Sequence, residues 1–189
     1  FYTTARLAYD QGADGVSLFN FPYYRYHVTK TIGPFHEPPF HVLPRLKQPD
    51  FLNRQPQWVF LSAGRNDAVL GEKPLPVVLI RDRAQTFPLM MSATESGHAG
   101  GILRLRSDES IADREIEVRF NGVVLAPTAP VVQPLPSPYV GTWLGKCEEL
   151  ACYSLAASIP LKDANNVMVV VKRGARVRLI YLDLVVPSA

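Results

Sequence analysis

The sequence predicts a mostly β protein: a β-sandwich or jelly roll preceded by a short α/β segment. Ile116, Val118 and Phe120 alternate with charged residues, and this period of two gives a strand one apolar and one charged face. Asn121-Gly122 follows at once, and both residue types accept the positive φ of a type I′ hairpin. Strand-like runs then recur with turn residues between them, and most of the 17 prolines fall between those runs, as in all-β proteins.

The N-terminal region, residues 1–65, is predicted to differ from the sandwich at residues 66–189. Apolar residues at helical spacing predict a helix over residues 1–11, and Gly12 is well placed to end it. Val16–Phe21 is short, mostly apolar and closed by a proline, which predicts a buried strand. A helix, a turn and a buried strand form the connection typical of a parallel sheet or barrel.

Residues 22–56 are rich in proline and aromatic residues, which predicts a loop. We predict short helical turns at residues 43–46 and 50–54 and a strand at residues 58–61. The loop is expected to lie over the sandwich, because its large aromatic side chains favour burial. The polar, Gly-containing stretch 63–73 is the predicted domain boundary.

Eight strands are predicted for the sandwich. In order they are Val77–Ile80, Phe87–Ser92, Gly101–Arg106, Glu115–Phe120, Val123–Leu125, Tyr153–Ser158, Val167–Val171 and Val177–Val186. The last is long and apolar on both faces, which predicts a central position in its sheet.

Composition and charge argue against several classes of partner. The net charge is +3 and the basic residues are scattered, which disfavours nucleic acid. No apolar run approaches the ~20 residues of a membrane-spanning helix. Cys147 and Cys152 are either a disulfide or two free thiols, and two cysteines cannot complete a four-ligand zinc site. His36 and His41, with Glu37 between them, lie in a Pro-rich loop and are interpreted as loop residues, so neither a metal nor a cofactor is predicted.

Two stretches resemble a known family. Gly12–Phe21, with the sequence GADGVSLFNF, resembles the eighth-strand region of glycoside-hydrolase-like TIM barrels. Leu103–Arg106, Ile116–Gly122 and Asn165–Val167 are similar to the β-sandwich appended to such barrels in uncharacterised bacterial proteins. The resemblance implies that this chain is the C-terminal part of a longer protein, since a barrel needs about 250 residues. It also implies that the catalytic carboxylates lie on earlier strands, so no catalytic residue is assigned here.

The resemblance also implies a carbohydrate site. Residues that follow a barrel strand line the active site, which makes Asn20, Tyr23, Tyr24 and Arg25 candidates to border a sugar. Tyrosine rings stack on pyranose C–H groups, and arginine donates hydrogen bonds to hydroxyl groups. The alternative is that the tyrosines only pack the loop onto the sandwich. Trp143 is either an exposed aromatic surface that binds carbohydrate or a core residue packed between the sheets.

Two functions follow. The first is the C-terminal part of a glycoside-hydrolase-like protein, with the sandwich as an accessory, carbohydrate-associated domain beside an N-terminal barrel. The second is a non-catalytic binding or scaffolding module that packs against a neighbouring domain or protein. A role with polysaccharides would imply export to the periplasm or the cell exterior.

Overall fold

The computed structural model of this 189-residue chain describes residues 1–18, 40–62, 74–93, 98–131 and 149–188. Within them, two antiparallel sheets enclose one large apolar core. The predicted β-sandwich is therefore confirmed. No helix among these residues is long and apolar enough to cross a membrane.

The described chain contains three helices and ten strands. The helices are α1 (Tyr2–Asp10), a 3₁₀ helix (Phe40–Arg45) and α2 (Pro49–Leu52). The strands are β1 (Gln57–Ser62), β2 (Val77–Leu79), β3 (Gln85–Met90), β4 (Gly101–Ser107), β5 (Glu115–Phe120), β6 (Val123–Val124), β7 (Ala126–Thr128), β8 (Glu149–Leu155), β9 (Ala164–Arg173) and β10 (Val177–Val186).

Sheet A has the strand order β1-β10-β4-β8-β7, and β2 pairs with the first residues of β10. Sheet B has the order β3-β9-β5-β6. The long apolar strand β10 lies between β1 and β4, so its predicted central position is confirmed. Its residues are buried on both faces, apart from Arg178.

The alternation in β5 places its apolar residues as predicted. Val118 and Phe120 are fully buried in the core, Ile116 packs against it, and Glu115 is exposed. The turn that follows has φ of 49° at Asn121 and 88° at Gly122, and β5 pairs with β6 directly across it. The predicted hairpin is confirmed.

The N-terminal region differs from its prediction at the expected strand. The helix is present as α1, but Val16 to Leu18 do not belong to a strand, and residues 19–21 lie outside the described residues. The side chains of Val16 and Leu18 pack instead against a small helical cluster, which gives this part of the predicted strand a place to bury its apolar groups without a sheet. The described residues therefore contain the helix of the expected α/β unit without its strand.

That second cluster is formed by Ala5, Val42, Leu46 and Leu52. It joins α1 to the 3₁₀ helix and to α2, and the ring of Phe51 meets Tyr2 edge-on at 5.2 Å. Residues 40–56, the described part of the aromatic segment, thus bury apolar side chains against α1. The remainder of that segment, residues 22–39, lies outside the described residues.

Tyr153 links the two sheets through the core. It lies on β8 in sheet A, and its hydroxyl donates a hydrogen bond of 3.1 Å to the carbonyl oxygen of Ile116 on β5 in sheet B. Burial, and then the neighbouring Cys152, raise the pKa of Tyr153 to about 12. Folding thus favours the protonated phenol.

We predict an alkaline loss of stability that depends on this side chain. A tyrosine pKa raised from 10 to about 12 contributes stability that is complete below pH 10 and is lost as the pH rises through 12. The loss is about 3 kcal/mol. Urea titrations between pH 8 and 12 should show a shallower pH dependence for Tyr153→Phe than for the native chain. Identical slopes would contradict the prediction.

Candidate functional site

The outer face of sheet A is the surface of that sheet opposite the core. Leu103, Leu105, Leu182 and Leu184 belong to the core, so the residues between them point the other way, because side chains alternate along a strand. The side chains considered on the outer face are Trp58 and Phe60 of β1, Arg104 and Arg106 of β4, Cys152 of β8, and Tyr181 and Asp183 of β10.

A buried ion pair occupies the middle of this face. The strand register pairs Arg104 with Asp183. The guanidinium donates through Nε to Oδ1 at 2.8 Å and through Nη2 to Oδ2 at 2.5 Å. The two residues are 1% and 0% exposed. This is the two-pronged geometry that makes an arginine–carboxylate pair strong and directional.

Two aromatic side chains complete the hydrogen bonding of the carboxylate. The indole Nε1 of Trp58 and the hydroxyl of Tyr181 each donate to Oδ2 of Asp183 at 2.9 Å. Four donors therefore converge on one carboxylate from β1, β4 and β10. Such complete hydrogen bonding offsets the cost of removing a charge from water.

Val131, in the segment after β7, forms hydrogen bonds with Arg104 and with Cys152. Arg104 Nη1 donates to the carbonyl oxygen of Val131 at 3.3 Å. The backbone N–H of Val131 donates to Sγ of Cys152 at 3.2 Å. Cys152 is buried with a free thiol, which agrees with the free-thiol alternative for this residue. Cys147 lies outside the described residues.

An aromatic group extends from the ion pair to the surface. The ring of Phe60 stacks on Tyr181 with centroids 6.1 Å apart and an interplanar angle of 19°. Trp58 lies 6.4 Å from Phe60, and the guanidinium of Arg106 lies 6.0 Å from the Tyr181 ring. Tyr181 is buried, whereas Phe60 is 56% exposed. Phe60 is thus an exposed ring stacked on Tyr181, which is buried and hydrogen-bonded.

The electrostatics of the face favour a fixed structure over proton transfer. Burial, and then the charge of Asp183, raise the pKa of Tyr181 well above its ordinary value. Burial acts to lower the pKa of Arg104, but the hydrogen bond to Asp183 and the attraction of its charge outweigh it and raise the pKa. Burial likewise raises the pKa of the Cys152 thiol, which keeps it protonated and weakly nucleophilic.

The residues predicted from sequence as a carbohydrate site lie outside the described residues. This applies to Asn20, Tyr23, Tyr24, Arg25 and Trp143, and their assignment stays a prediction. His36 and Glu37 also lie outside, and His41 is exposed. Within the described ranges, no group of three or more His, Cys, Asp or Glu side chains is arranged to hold a metal ion.

Sequence reasoning missed the outer face of sheet A, although one signal pointed to it. Asp183 is a lone acid in the otherwise apolar strand end Leu179–Val186, where an unpaired charge would be costly. Arg104 alternates with two leucines in β4, a pattern that by itself indicates a solvent-facing arginine. Only the pairing of β4 with β10 brings the two charges together.

His98, another buried polar residue of the described core, has structural partners. His98 Nδ1 accepts from the N–H of Gly100 at 3.0 Å, and its Nε2 lies 2.8 Å from the carbonyl oxygen of Ile159, which assigns the Nε2–H tautomer.

A cleft of about 10 Å³ lies beside Leu105 and Ile116, room for one water molecule at most.

No protein-family model matches the chain, and a search of curated proteins finds no match either. The geometry of the site therefore carries the functional argument.

We predict that replacing Asp183 by Asn destabilises the fold by about 3–5 kcal/mol, because it leaves the Arg104 charge buried without its partner. Glu117→Gln is the matched control, since Glu117 and Arg119 form an ion pair of 2.8 Å on the outer face of sheet B. Guanidinium titrations should show a far smaller effect for the control. Equal losses for the two variants would contradict the assignment.

Proposed function

We propose that this chain is the accessory β-sandwich part of a glycoside-hydrolase-like protein, with a non-catalytic function: it holds a neighbouring α/β region against sheet A. One observation carries the proposal. Arg104, Tyr181 and Asp183 on the outer face of sheet A are 1%, 1% and 0% exposed. Antiparallel sheets commonly leave their outer face in water, so a charged network sealed there supports a face that carries other protein.

The contact with α1 supports the same role. The backbone N–H of Trp58 on β1 donates to Oγ1 of Thr3 on α1 at 2.9 Å. Arg6 on α1 donates through Nη1 to the carbonyl oxygen of Asn53, shortly before β1, at 3.3 Å. Trp58 thus bonds α1 through its backbone and Asp183 through its side chain. The helical region and the buried ion pair are joined through one residue.

The resemblance of Gly12–Phe21 to the end of a TIM barrel supplies the nature of the neighbour. On this proposal, a barrel lies N-terminal to the sandwich and carries any catalytic carboxylates. The sandwich would act as a support for the helix that precedes the last strand of that barrel. A polysaccharide substrate would place the whole protein in the periplasm or outside the cell.

We predict that Thr3→Val loosens α1, because valine cannot accept the hydrogen bond from Trp58. Thr3→Ser is the matched control, since serine keeps the hydroxyl. Hydrogen exchange of the whole chain should be several-fold faster over Tyr2–Asp10 in the valine variant, which corresponds to the loss of one hydrogen bond. Exchange over α1 at the rate of an unfolded peptide in the native chain would overturn the docking proposal.

Carbohydrate binding at Phe60 is the second function that we propose. An exposed aromatic ring offers a flat apolar face for the C–H groups of a pyranose, and the stack on Tyr181 holds the Phe60 ring in one orientation. Covering such a ring on binding is favourable, because an aromatic side chain removes a large apolar area from water. This site differs from the one predicted at residues 20–25.

We predict that Phe60→Ala abolishes any binding of soluble β-glucan, xylan or chitin oligosaccharides measured by calorimetry. Ile80→Ala is the matched control, because Ile80 is also a large exposed apolar residue, at 47%. The control should bind as the native chain does. Absence of binding by the native chain, or equal affinities for both variants, would contradict this second function and leave the first intact.

A further inference from the structure

The Asn121-Gly122 turn combines a reactive pair of residues with an unusually well-anchored side chain. Glycine carries no side chain to hinder its own backbone nitrogen, and space is open around Gly122, with φ of 88°. We propose that Asn121 is a site of spontaneous deamidation that the native fold protects and that reacts once the turn opens.

The reaction needs only water. The backbone nitrogen of Gly122 attacks Cγ of Asn121 and forms a new C–N bond. The Cγ–Nδ2 bond breaks, and the nitrogen leaves as ammonia with the proton given up by the glycine N–H. Water then adds to either carbonyl of the five-membered imide and opens it to aspartate or to isoaspartate. No oxidant or reductant takes part.

The native structure holds the Asn121 amide by three hydrogen bonds. Its Nδ2 donates to Oδ1 of Asn165 at 2.9 Å and to the carbonyl oxygen of Pro160 at 3.3 Å. Its Oδ1 accepts from the N–H of Asn166 at 3.0 Å. All three partners belong to β9 or to the loop before it. Movement of Cγ onto the Gly122 nitrogen therefore requires these bonds to break.

The main partner is itself fixed. Asn165 is 1% exposed. Its Oδ1 also accepts from the N–H of Lys162 at 3.0 Å, and its Nδ2 donates to the carbonyl oxygen of Lys162 at 2.6 Å. The backbone N–H of Asn121 additionally donates to the carbonyl oxygen of Asn166 at 2.9 Å. Asn165 is thus held by its own hydrogen bonds, and reaction at Asn121 requires local opening of the turn.

The product does not fit the same site. Aspartate lacks the two Nδ2 donations, and its carboxylate faces Oδ1 of Asn165 and the carbonyl oxygen of Pro160. Isoaspartate also lengthens the backbone by one carbon at the turn between β5 and β6, where register depends on turn geometry. Deamidation thus occurs in molecules whose turn has opened, and it makes the native conformation of the turn less stable.

The test follows the mass gain of the amide-to-acid change, with peptide mapping to residue 121, in mildly alkaline buffer. The whole native chain is compared with a synthetic peptide of residues 117–126. We expect the native chain to react at least about tenfold more slowly, as local protection by several hydrogen bonds implies. Equal rates in the chain and the peptide would overturn the proposal.

Two variants separate the anchor from general folding. Asn165→Ala removes the acceptor for Nδ2, whereas Asn166→Ala, at the exposed neighbouring position, keeps the backbone donor. With both variants shown to be folded by circular dichroism, the first should deamidate several-fold faster than the second, and equal rates would contradict the role of Asn165. If Asn165→Ala does not fold, native chain in urea below its unfolding transition replaces it: a rate that rises with urea supports local opening, and a flat rate contradicts it.

Discussion

The pairing of Arg104 with Asp183 is the constraint on which sheet A depends. A charge pair that is buried, as this one is, must have its hydrogen bonds completed, or the cost of removing it from water outweighs its attraction. Trp58, Tyr181 and the Val131 carbonyl provide those partners. Each comes from a different part of the chain, so one carboxylate and one guanidinium connect β1, β4 and β10 with the segment after β7. Phe60 then rests on Tyr181 at the surface.

Two edge strands of the sheets, β1 and β3, are protected against pairing with another chain. The edge strand β1 has its Trp58 N–H occupied by Thr3, and the edge strand β3 contains Pro88, which cannot donate to an added strand. The two edges are joined by the Gln57 side-chain amide, which donates to the carbonyl oxygen of Ser92 and accepts from its N–H, both at 2.9 Å. These contacts disfavour pairing of the β1 and β3 edges with another chain.

The sequence predicted the parts of this fold that depend on local pattern. The alternation in β5, the Asn121-Gly122 turn and the central β10 are consequences of side-chain periodicity and of backbone preference, which act within a few residues. The buried ion pair depends on which strands are neighbours, and nothing in the local sequence of Arg104 or Asp183 specifies that. Val16 to Leu18 have the composition of a strand, but a strand also needs a partner strand. The side chains of Val16 and Leu18 pack against the helical cluster instead. The proposed carbohydrate site at residues 20–25 rests on resemblance.

A double-mutant cycle on Arg104 and Asp183 tests directly whether the two charges stabilise the fold as a pair. Arg104→Met and Asp183→Leu are made singly and together, and the free energy of unfolding is measured for all four proteins. We predict that each single variant loses several kcal/mol and that the double variant regains most of that loss, because no charge is then left buried alone. Losses that add to within about 0.5 kcal/mol would contradict it, because the two charges would then act independently of each other.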